Sequence, residues 1–206
     1  RRFLCDNECC WCRGGQLGVD GVLGCVGECG DTNKAGGDIE SGGARKVIIS
    51  DGATNEDLTI VLGVNQDLYD PDRHHVISNA SCTTNCLVPV VKVLHEQFGL
   101  LSGIMTTVHA FTNSQRLLDA PHKDLRRARA ATLSIIPTTS GAVRSLEKVM
   151  PELEGRFLGM ALRAPVPAVS IVDLTVVTNV PVTSESINSA FRTAPAGTLK
   201  AILAAA

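Results

Sequence analysis

The sequence predicts a mixed fold of helices and strands, of the α/β or α+β class, on three observations. Short apolar runs with many β-branched residues, such as Lys46–Ser50 and Val169–Thr178, are typical of strands. The segment Thr83–Phe98 places apolar residues at helical spacing. The chain has 206 residues and is 44% hydrophobic, which is enough apolar content to build a sizeable core.

Regular structure is expected mainly after residue 44. Eleven of the nineteen glycines lie between Gly14 and Gly43, and this density predicts only one weak strand there, at Gly21–Val26. In the rest of the chain, Gly99 is expected to end one helix and Pro151 to stop another. The predicted elements are, in order, strands at Lys46–Ser50, Leu58–Val64 and His75–Ser78, a helix at Thr83–Phe98, a strand at Gly103–Ala110, a helix at Ala142–Val149, strands at Arg156–Ala164 and Val169–Thr178, and a final helix opened by Thr183.

Composition excludes several classes of function. The formal net charge of −2, from 19 basic and 21 acidic residues, offers no electrostatic basis for binding nucleic acid or an anionic membrane. The apolar runs are too short to span a bilayer, and Asp6 and Glu8 interrupt any signal-peptide pattern. Most of the eight cysteines crowd into the first 29 residues, unlike a secreted disulfide scaffold. We therefore expect a soluble, cytoplasmic protein with reduced thiols.

The candidate for chemistry is Cys82, in the run Ser78–Cys86, where a predicted strand ends and a helix begins. Free backbone N–H groups and the helix dipole favour a thiolate at such a position, and the same N–H groups suit an oxyanion or a phosphate. Ser81 and Thr83 add hydroxyl donors. Position alone leaves two readings of Cys82 open, a nucleophile and a buried structural cysteine.

Cys86, three histidines and the N-terminal cysteines are further candidates for chemistry, and each has a simpler structural explanation. Cys86 is expected to be a structural cysteine in the helix interior. A thiolate nucleophile needs a base, and His109 ends a predicted strand, from which a side chain can project over the sheet edge, although a core histidine is an equal alternative. His95 and His122 are expected to face solvent. The spacing of Cys5, Cys9, Cys10 and Cys12 matches no common zinc site, so no metal is predicted.

Several motifs together resemble phosphorylating glyceraldehyde-3-phosphate dehydrogenases. Residues 78–86 read Ser-Asn-Ala-Ser-Cys-Thr-Thr-Asn-Cys, which looks like the active-site signature of that family. Further blocks follow in the family order, and the resemblance extends from about Lys46 to Leu203, more thinly back to Gly18. These blocks are Thr106–Thr112, His122–Ala130, Ser134–Gly141 and Val169–Leu174.

The resemblance implies a role for each matching position. Cys82 corresponds to the nucleophile and His109 to its base. Residues that match the phosphate-binding and substrate-binding positions are Ser81, Thr83, Thr112, Arg127, Ser140, Gly141 and Arg163, of which Thr112 and Arg163 match those holding the substrate's C3 phosphate. Arg127, or its neighbour Arg129, matches the arginine of a loop that lines the cofactor and a subunit interface in the family. Ser50 and Gly27 match cofactor-binding positions.

The resemblance further implies a fold and domain arrangement. We expect residues 1–80 to be a degraded remnant of a Rossmann-type NAD(P)-binding domain, with 1–40 disordered, and residues 81–206 to be an α+β catalytic domain, truncated at its C-terminus, with a mixed or antiparallel sheet and helices. The sequence lacks Gly-x-Gly-x-x-Gly and its downstream acidic residue, which puts NAD or NADP binding in doubt.

The implied function is oxidation of glyceraldehyde 3-phosphate with NAD(P) and inorganic phosphate to 1,3-bisphosphoglycerate, a glycolytic step, through a cysteine thioester. The implied assembly is a homo-oligomer, a tetramer in the family, with neither a nucleic acid nor a membrane as partner. Two alternatives stay open. One is a non-catalytic, oligomerising interaction module, and the other is a phosphate-sensitive thiol redox protein.

Overall fold

The computed structural model describes residues 3–6, 20–25, 32–40 and 43–204. The chain divides into two compact units, of which the first comprises residues 1–93 and 185–206 and the second residues 94–184. The predicted domain boundary at residue 80 and the expected disorder of residues 1–40 stay predictions. No helix in the described ranges is both long and apolar enough to cross a membrane.

Unit 1 contains a five-stranded, wholly parallel sheet, in agreement with the α/β prediction. Its core forms where Val22, Val47 and Ile49 pack with Ala35 of a short helix, α1 (Thr32–Glu40). These side chains alternate along the strands because a strand turns every second residue to the same face. The spatial order is β1-β2-β3-β5-β4, with β1 at Phe3–Asp6, β2 at Gly21–Gly24, β3 at Lys46–Ile49, β4 at Leu58–Thr59 and β5 at Val76–Ser78.

The strand predicted at Leu58–Val64 is much shorter in the structure. β4 ends at Thr59, and the chain then turns so that the N–H of Val61 donates to Asn65 Oδ1 at 2.8 Å. Gly63 has a φ of +81°, a backbone conformation that a strand does not contain. The predicted strand was therefore too long, because Gly63 and Asn65 form a turn within the run of apolar residues.

The predicted long helix is present as α2 (Cys82–Phe98). Leu87, Val91 and Leu94 are buried as expected, whereas Val90 is only half-buried. Gly99, at a φ of +65°, ends the helix, and His95 does not simply face solvent, because its Nδ1 accepts a hydrogen bond from the N–H of Leu100 at 3.0 Å.

Unit 2 is built on a four-stranded mixed sheet of order β7-β8-β6-β9, as the α+β prediction required. β6 runs parallel to β8 and antiparallel to β9, and β7 runs antiparallel to β8. The strands are β6 (Leu100–Ala110), β7 (Ile136–Thr139), β8 (Phe157–Ala164) and β9 (Ser170–Thr178). The described residues also form the α-helices α3 (Ala142–Val149), in unit 2, and α4 (Ser184–Thr193), which belongs to unit 1 from Glu185 onward.

The two faces of the unit 2 sheet differ in burial. Met105 and Ala161 are buried on the face against which α3 packs, and a Cβ at Gly159 would lie 2.6 Å from Cγ2 of Val143, so the helix approaches the sheet closely there. The opposite face exposes large apolar side chains, with exposed fractions of 57% for Ile104 and 71% for Leu158. Such a face is typical of an interaction surface.

Candidate active site

Cys82 lies at the junction of strand and helix in unit 1, as the sequence predicts. β5 ends at Ser78, Cys82 is the first residue of α2, and its side chain is exposed. Ala80, which is 1% exposed, has a φ of +58° in the short connection between them. A non-glycine residue in that region stores backbone strain, which is frequent at functional sites.

The turn before Cys82 is held by its own polar side chains. Ser81 Oγ accepts a hydrogen bond from the N–H of Thr84 at 3.2 Å and lies 2.8 Å from Thr84 Oγ1, so Ser81 caps the helix. Asn85 Nδ2 donates to the carbonyls of Asn79 at 2.8 Å and Ser81 at 3.0 Å. Thr83 is half-buried. The cap fixes the first turn of α2, and the N–H groups that begin a helix are suited to binding an anion.

Cys86 is exposed, and the prediction of a buried position in the helix interior was wrong. The helix turns one hundred degrees per residue, so a position four residues after the exposed Cys82 lies on nearly the same exposed face. Desolvation of its sulfur raises the pKa of the Cys86 thiol, and the neighbouring Cys82 raises the pKa further. Cys86 is therefore favoured as a neutral thiol beside the candidate nucleophile.

His109 occupies the penultimate position of β6 in unit 2, near the strand end that the sequence predicts. Its direct partner on the neighbouring strand β8 is Arg163. Arg163 Nη1 lies 2.6 Å from His109 Nδ1, and the same nitrogen donates to the carbonyl of Ala110 at 3.1 Å. The structure thus brings the predicted base and one predicted phosphate ligand together at one end of the sheet.

Thr112 follows His109 in the loop after β6, and its side chain is exposed. Its Oγ1 lies 3.0 Å from Ser114 Oγ, and its N–H donates to Gln115 Oε1 at 3.2 Å. Gln115 is only 6% exposed and anchors this loop, although no sequence motif pointed to it. The exposed hydroxyl of Thr112 and the guanidinium of Arg163, which belong to the same unit, are groups that a phosphate monoester binds.

Arg127 lies in the short 3₁₀ helix Leu125–Ala128 of the same unit. Its Nε and Nη2 donate to Thr138 Oγ1 of β7 at 3.0 and 2.7 Å, and its Nε is 4.0 Å from Asp124. The contact of Arg127 with a ligand stays a prediction, since its guanidinium binds the protein in this structure. His122, expected to face solvent, accepts from the N–H of Asp124 at 2.9 Å and so organises the loop.

Ser140 and Gly141 stand at the start of α3. Ser140 Oγ accepts a hydrogen bond from the N–H of Ala142 at 3.2 Å, and Gly141 is exposed with open space around its α-carbon. The sequence order of hydroxyl, glycine and helix start is suited to an anion, because the first backbone N–H groups of a helix have no internal acceptor.

The two predicted cofactor positions differ in what the structure describes. Ser50 is exposed at the carboxyl end of β3, and its N–H donates to the carbonyl of Gly24 at 2.9 Å. Gly27 lies outside the described residues. Carboxyl ends of parallel strands are where dinucleotides bind in doubly wound sheets, but the glycine-rich turn that cradles a pyrophosphate is missing from this sequence. Of the two predicted cofactor positions, the described residues thus place Ser50 at the edge of the sheet where a dinucleotide binds in such folds.

The comparisons with known proteins agree with the motifs. Residues 81–206 match the family model described as glyceraldehyde 3-phosphate dehydrogenase, C-terminal domain. The chain belongs to the glyceraldehyde-3-phosphate dehydrogenase family. It is 59% identical over 190 residues to the glyceraldehyde-3-phosphate dehydrogenase of Geobacillus stearothermophilus, covering 92% of this chain and 56% of that protein.

Other relatives in the dehydrogenase family show the same extent of match. Identity is 56% over 189 residues to glyceraldehyde-3-phosphate dehydrogenase 1 of Streptomyces avermitilis, covering 92% of this chain and 56% of that protein. It is 55% over 188 residues to glyceraldehyde-3-phosphate dehydrogenase 2 of Bacillus subtilis, covering 91% and 55%. The chain therefore spans little more than half the length of these curated relatives.

Besides Gln115, two features of the chain were not predicted from the sequence. Thr138 accepts both Arg127 donors, a long-range contact that no local pattern reveals. Asp57 binds the start of β5, since its Oδ2 accepts from the N–H groups of His75 at 2.7 Å and Val76 at 2.8 Å. Among the side chains that the structure describes, no group of three potential ligands could hold a metal ion.

Proposed function

We propose that this chain carries the covalent chemistry of a phosphorylating glyceraldehyde-3-phosphate dehydrogenase, with Cys82 as nucleophile and His109 as base. The observation that carries the proposal is the exposed Cys82 at a capped helix start, preceded by the strained Ala80. A thiolate there would attack the aldehyde carbon of glyceraldehyde 3-phosphate to form a thiohemiacetal. The N–H groups of the first turn of α2 would stabilise its oxyanion.

The phosphate groups are assigned to two sets of side chains. Thr112 and Arg163 would hold the C3 phosphate, and their support is the exposed hydroxyl and the half-buried guanidinium in one unit. Ser81, Thr83, Ser140 and Gly141 would hold inorganic phosphate, which displaces the cysteine from the thioester as an acyl phosphate. Each set combines hydroxyl donors with either an arginine or helix N–H groups, as phosphate recognition requires.

Oxidation of the thiohemiacetal requires a hydride acceptor, which NAD(P) supplies when it is bound. Ser50 and Gly27 would contact the cofactor, and the parallel sheet of unit 1 would be the remnant of its Rossmann-type domain. Residues 1–80 and 81–206 are proposed as the two domains. His109 would take the proton that the thiohemiacetal hydroxyl releases during this oxidation.

A homo-oligomer, and a tetramer in particular, is proposed as the working assembly in the cytoplasm. The support is the exposed apolar face of the unit 2 sheet, where Ile104, Leu158 and Ile171 are 57%, 71% and 67% exposed. A second copy offering the same face would cover it, as two-fold symmetric dimers do. The alternative function, a non-catalytic interaction module, would use this same surface and needs no turnover.

The test is reduction of NAD or NADP by the purified chain with glyceraldehyde 3-phosphate and phosphate. Cys82→Ser is the inactive control, and Cys86→Ser is the matched variant, since both cysteines are exposed on one helix. The proposal predicts turnover by the chain and by Cys86→Ser but not by Cys82→Ser. Turnover no higher than that of Cys82→Ser, with oligomers in light scattering, would leave the interaction module as the function.

A further inference from the structure

His122 of unit 2 bridges two segments that carry predicted phosphate-binding residues. One segment is the turn of residues 112–115, which contains Thr112, and the other is the 3₁₀ helix with Arg127. His122 Nε2 lies 3.1 Å from the carbonyl oxygen of Ser114, and the N–H of Asp124 donates to His122 Nδ1 at 2.9 Å. The two ring nitrogens contact different segments, so the imidazole links one segment to the other.

The contact with Ser114 requires a proton on Nε2 of His122. A backbone carbonyl only accepts hydrogen bonds, so Nε2 donates whenever this bond is made. The neutral ring with its proton on Nε2 meets this condition, and so does the imidazolium, in which both nitrogens donate. Nδ1 also lies 3.1 Å from the carbonyl oxygen of Asp124, which is an acceptor for the second proton of the charged ring. The bridge to Ser114 therefore exists in both charge states of His122.

The Ser114 end of the bridge is tied to the hydroxyl of Thr112. Ser114 Oγ lies 3.0 Å from Thr112 Oγ1. The turn itself is closed twice, because the N–H of Gln115 donates to the Thr112 carbonyl at 2.9 Å and the N–H of Thr112 donates to Gln115 Oε1 at 3.2 Å. A displacement of the Ser114 carbonyl therefore displaces the Thr112 hydroxyl as well.

The Asp124 end of the bridge is tied to Arg127. The N–H of Arg127 donates to the carbonyl of Asp124 at 2.9 Å, and Arg127 Nε lies 4.0 Å from Asp124 Oδ2. Asp124 Oδ1 also accepts from the N–H of Arg126 at 3.0 Å and so caps the 3₁₀ helix. The position of His122 relative to Asp124 therefore sets the position of the helix that carries Arg127.

We propose that His122 is a positioning residue for phosphate monoesters, which holds the turn with Thr112 against the segment with Arg127 before the ligand binds. This rests on the proposed function, in which Thr112 holds the C3 phosphate. Groups that are already in place cost less to order when a ligand binds, and this saving appears as affinity. Without the bridge, the ligand itself has to order the turn, so binding is weaker.

The test is the affinity of the 206-residue chain for glycerol 3-phosphate, an unreactive phosphate monoester, measured by titration calorimetry. The amide of glutamine reaches about as far as Nε2 of histidine, and the amide of asparagine only about as far as Nδ1. His122→Gln can therefore restore the bond to Ser114, whereas His122→Asn can restore only the bond with Asp124. His95→Asn is the matched control, since His95 Nδ1 also accepts from a backbone N–H in unit 2.

The inference predicts that His122→Asn binds glycerol 3-phosphate about 2- to 10-fold more weakly than wild type, the effect of losing one neutral hydrogen bond. His122→Gln and His95→Asn are expected to bind within about twofold of wild type. Trypsin cleavage after Arg116, the residue that follows the turn, should be faster in His122→Asn than in His122→Gln, because the unbridged turn opens more often.

Equal affinity of His122→Asn and wild type would overturn the inference, and so would equally weak binding by His122→Asn and His122→Gln. Faster cleavage with unchanged affinity, or a His122→Asn chain that does not fold, would show a purely structural role and overturn it too. A wild-type chain that does not bind glycerol 3-phosphate would also overturn it. Binding needs no turnover, so a chain with the predicted affinities that reduces neither NAD nor NADP would refute only the proposed dehydrogenase activity.

Discussion

The contact between Arg127 and Thr138 is expected to hold the loop before β7 in place. Replacing Thr138 by valine keeps the shape of the side chain but removes the hydroxyl that accepts both Arg127 donors. Thr138 is 4% exposed, so water cannot take the place of its oxygen inside the sheet. Thr139→Val is the matched control, because Thr139 is the next residue of the same strand and is exposed.

The size of the effect follows from the burial of the two partners. A hydrogen bond to a charged group contributes about 1.5–3 kcal/mol net. The Arg127 side chain is 21% exposed, so water recovers part of this for the guanidinium. The loss is then about 1–2 kcal/mol, which corresponds to a 5- to 30-fold rise in the population of the open loop.

Limited trypsin digestion followed by mass spectrometry measures this population, since trypsin cleaves after Arg127 only when the loop opens. In the regime of fast opening and closing, the cleavage rate follows the open fraction. We expect Thr138→Val to be cleaved there about 5- to 30-fold faster and Thr139→Val at the wild-type rate. Cleavage after Arg73 in unit 1 should not change. Equal rates in the two variants would refute the anchoring role of Thr138.

Three further predictions concern stability, measured by urea denaturation. Burial alone would raise the pKa of Asp57, but backbone N–H donors and nearby histidines lower it overall. The loss of stability caused by Asp57→Ala should therefore be full at pH 7 and shrink below about pH 4. A stability difference between wild type and Asp57→Ala that stays constant with pH would contradict this. Ala80→Val should lower the free energy of unfolding by about 1–3 kcal/mol because a β-branched residue is strained at positive φ. Ala80→Gly should not destabilise the protein comparably. Equal losses of stability in the two variants would refute backbone strain at this position. Gly159→Ala should lower the free energy of unfolding by about 1–3 kcal/mol because the new methyl group crowds Val143. Gly52→Ala, at a position with open space, should cause no loss. Equal stability of the two variants would exclude close packing of α3 on the sheet at Gly159.

The sequence predicted those parts of the fold in which one periodicity holds over many residues. α2 and the three long strands of unit 2 begin and end within a few residues of their predicted bounds, because apolar side chains at helical spacing mark the helix and runs rich in β-branched and apolar residues mark the strands. The strand at Leu58–Val64 failed because Gly63 and Asn65 form a turn that apolar content does not report. The prediction for Cys86 was wrong because Cys86 lies one helical turn after Cys82, on the same exposed face of α2.

For the candidate site, the motifs predicted which residues matter but not what they touch. Cys82 and His109 stand at the ends of the elements that were expected to present them. The pairing of His109 with Arg163 depends on β6 lying beside β8, a register that is set by the whole sheet and not by either segment. The contact of Arg127 with Thr138 could not be predicted for the same reason, since Thr138 is eleven residues away on another element.

Alkylation of Cys82 and Cys86 by iodoacetamide, followed by peptide mass spectrometry from pH 6 to 10, tests the central claim most directly. Both cysteines are exposed and one helical turn apart, and the pH dependence of each alkylation rate separates the thiolate fraction from the access of the reagent to the sulfur. The account predicts that Cys82, at the helix start, reacts at least about tenfold faster at pH 7 than Cys86, whose pKa is raised. Equal rates with the same pH dependence would contradict an activated nucleophile at Cys82.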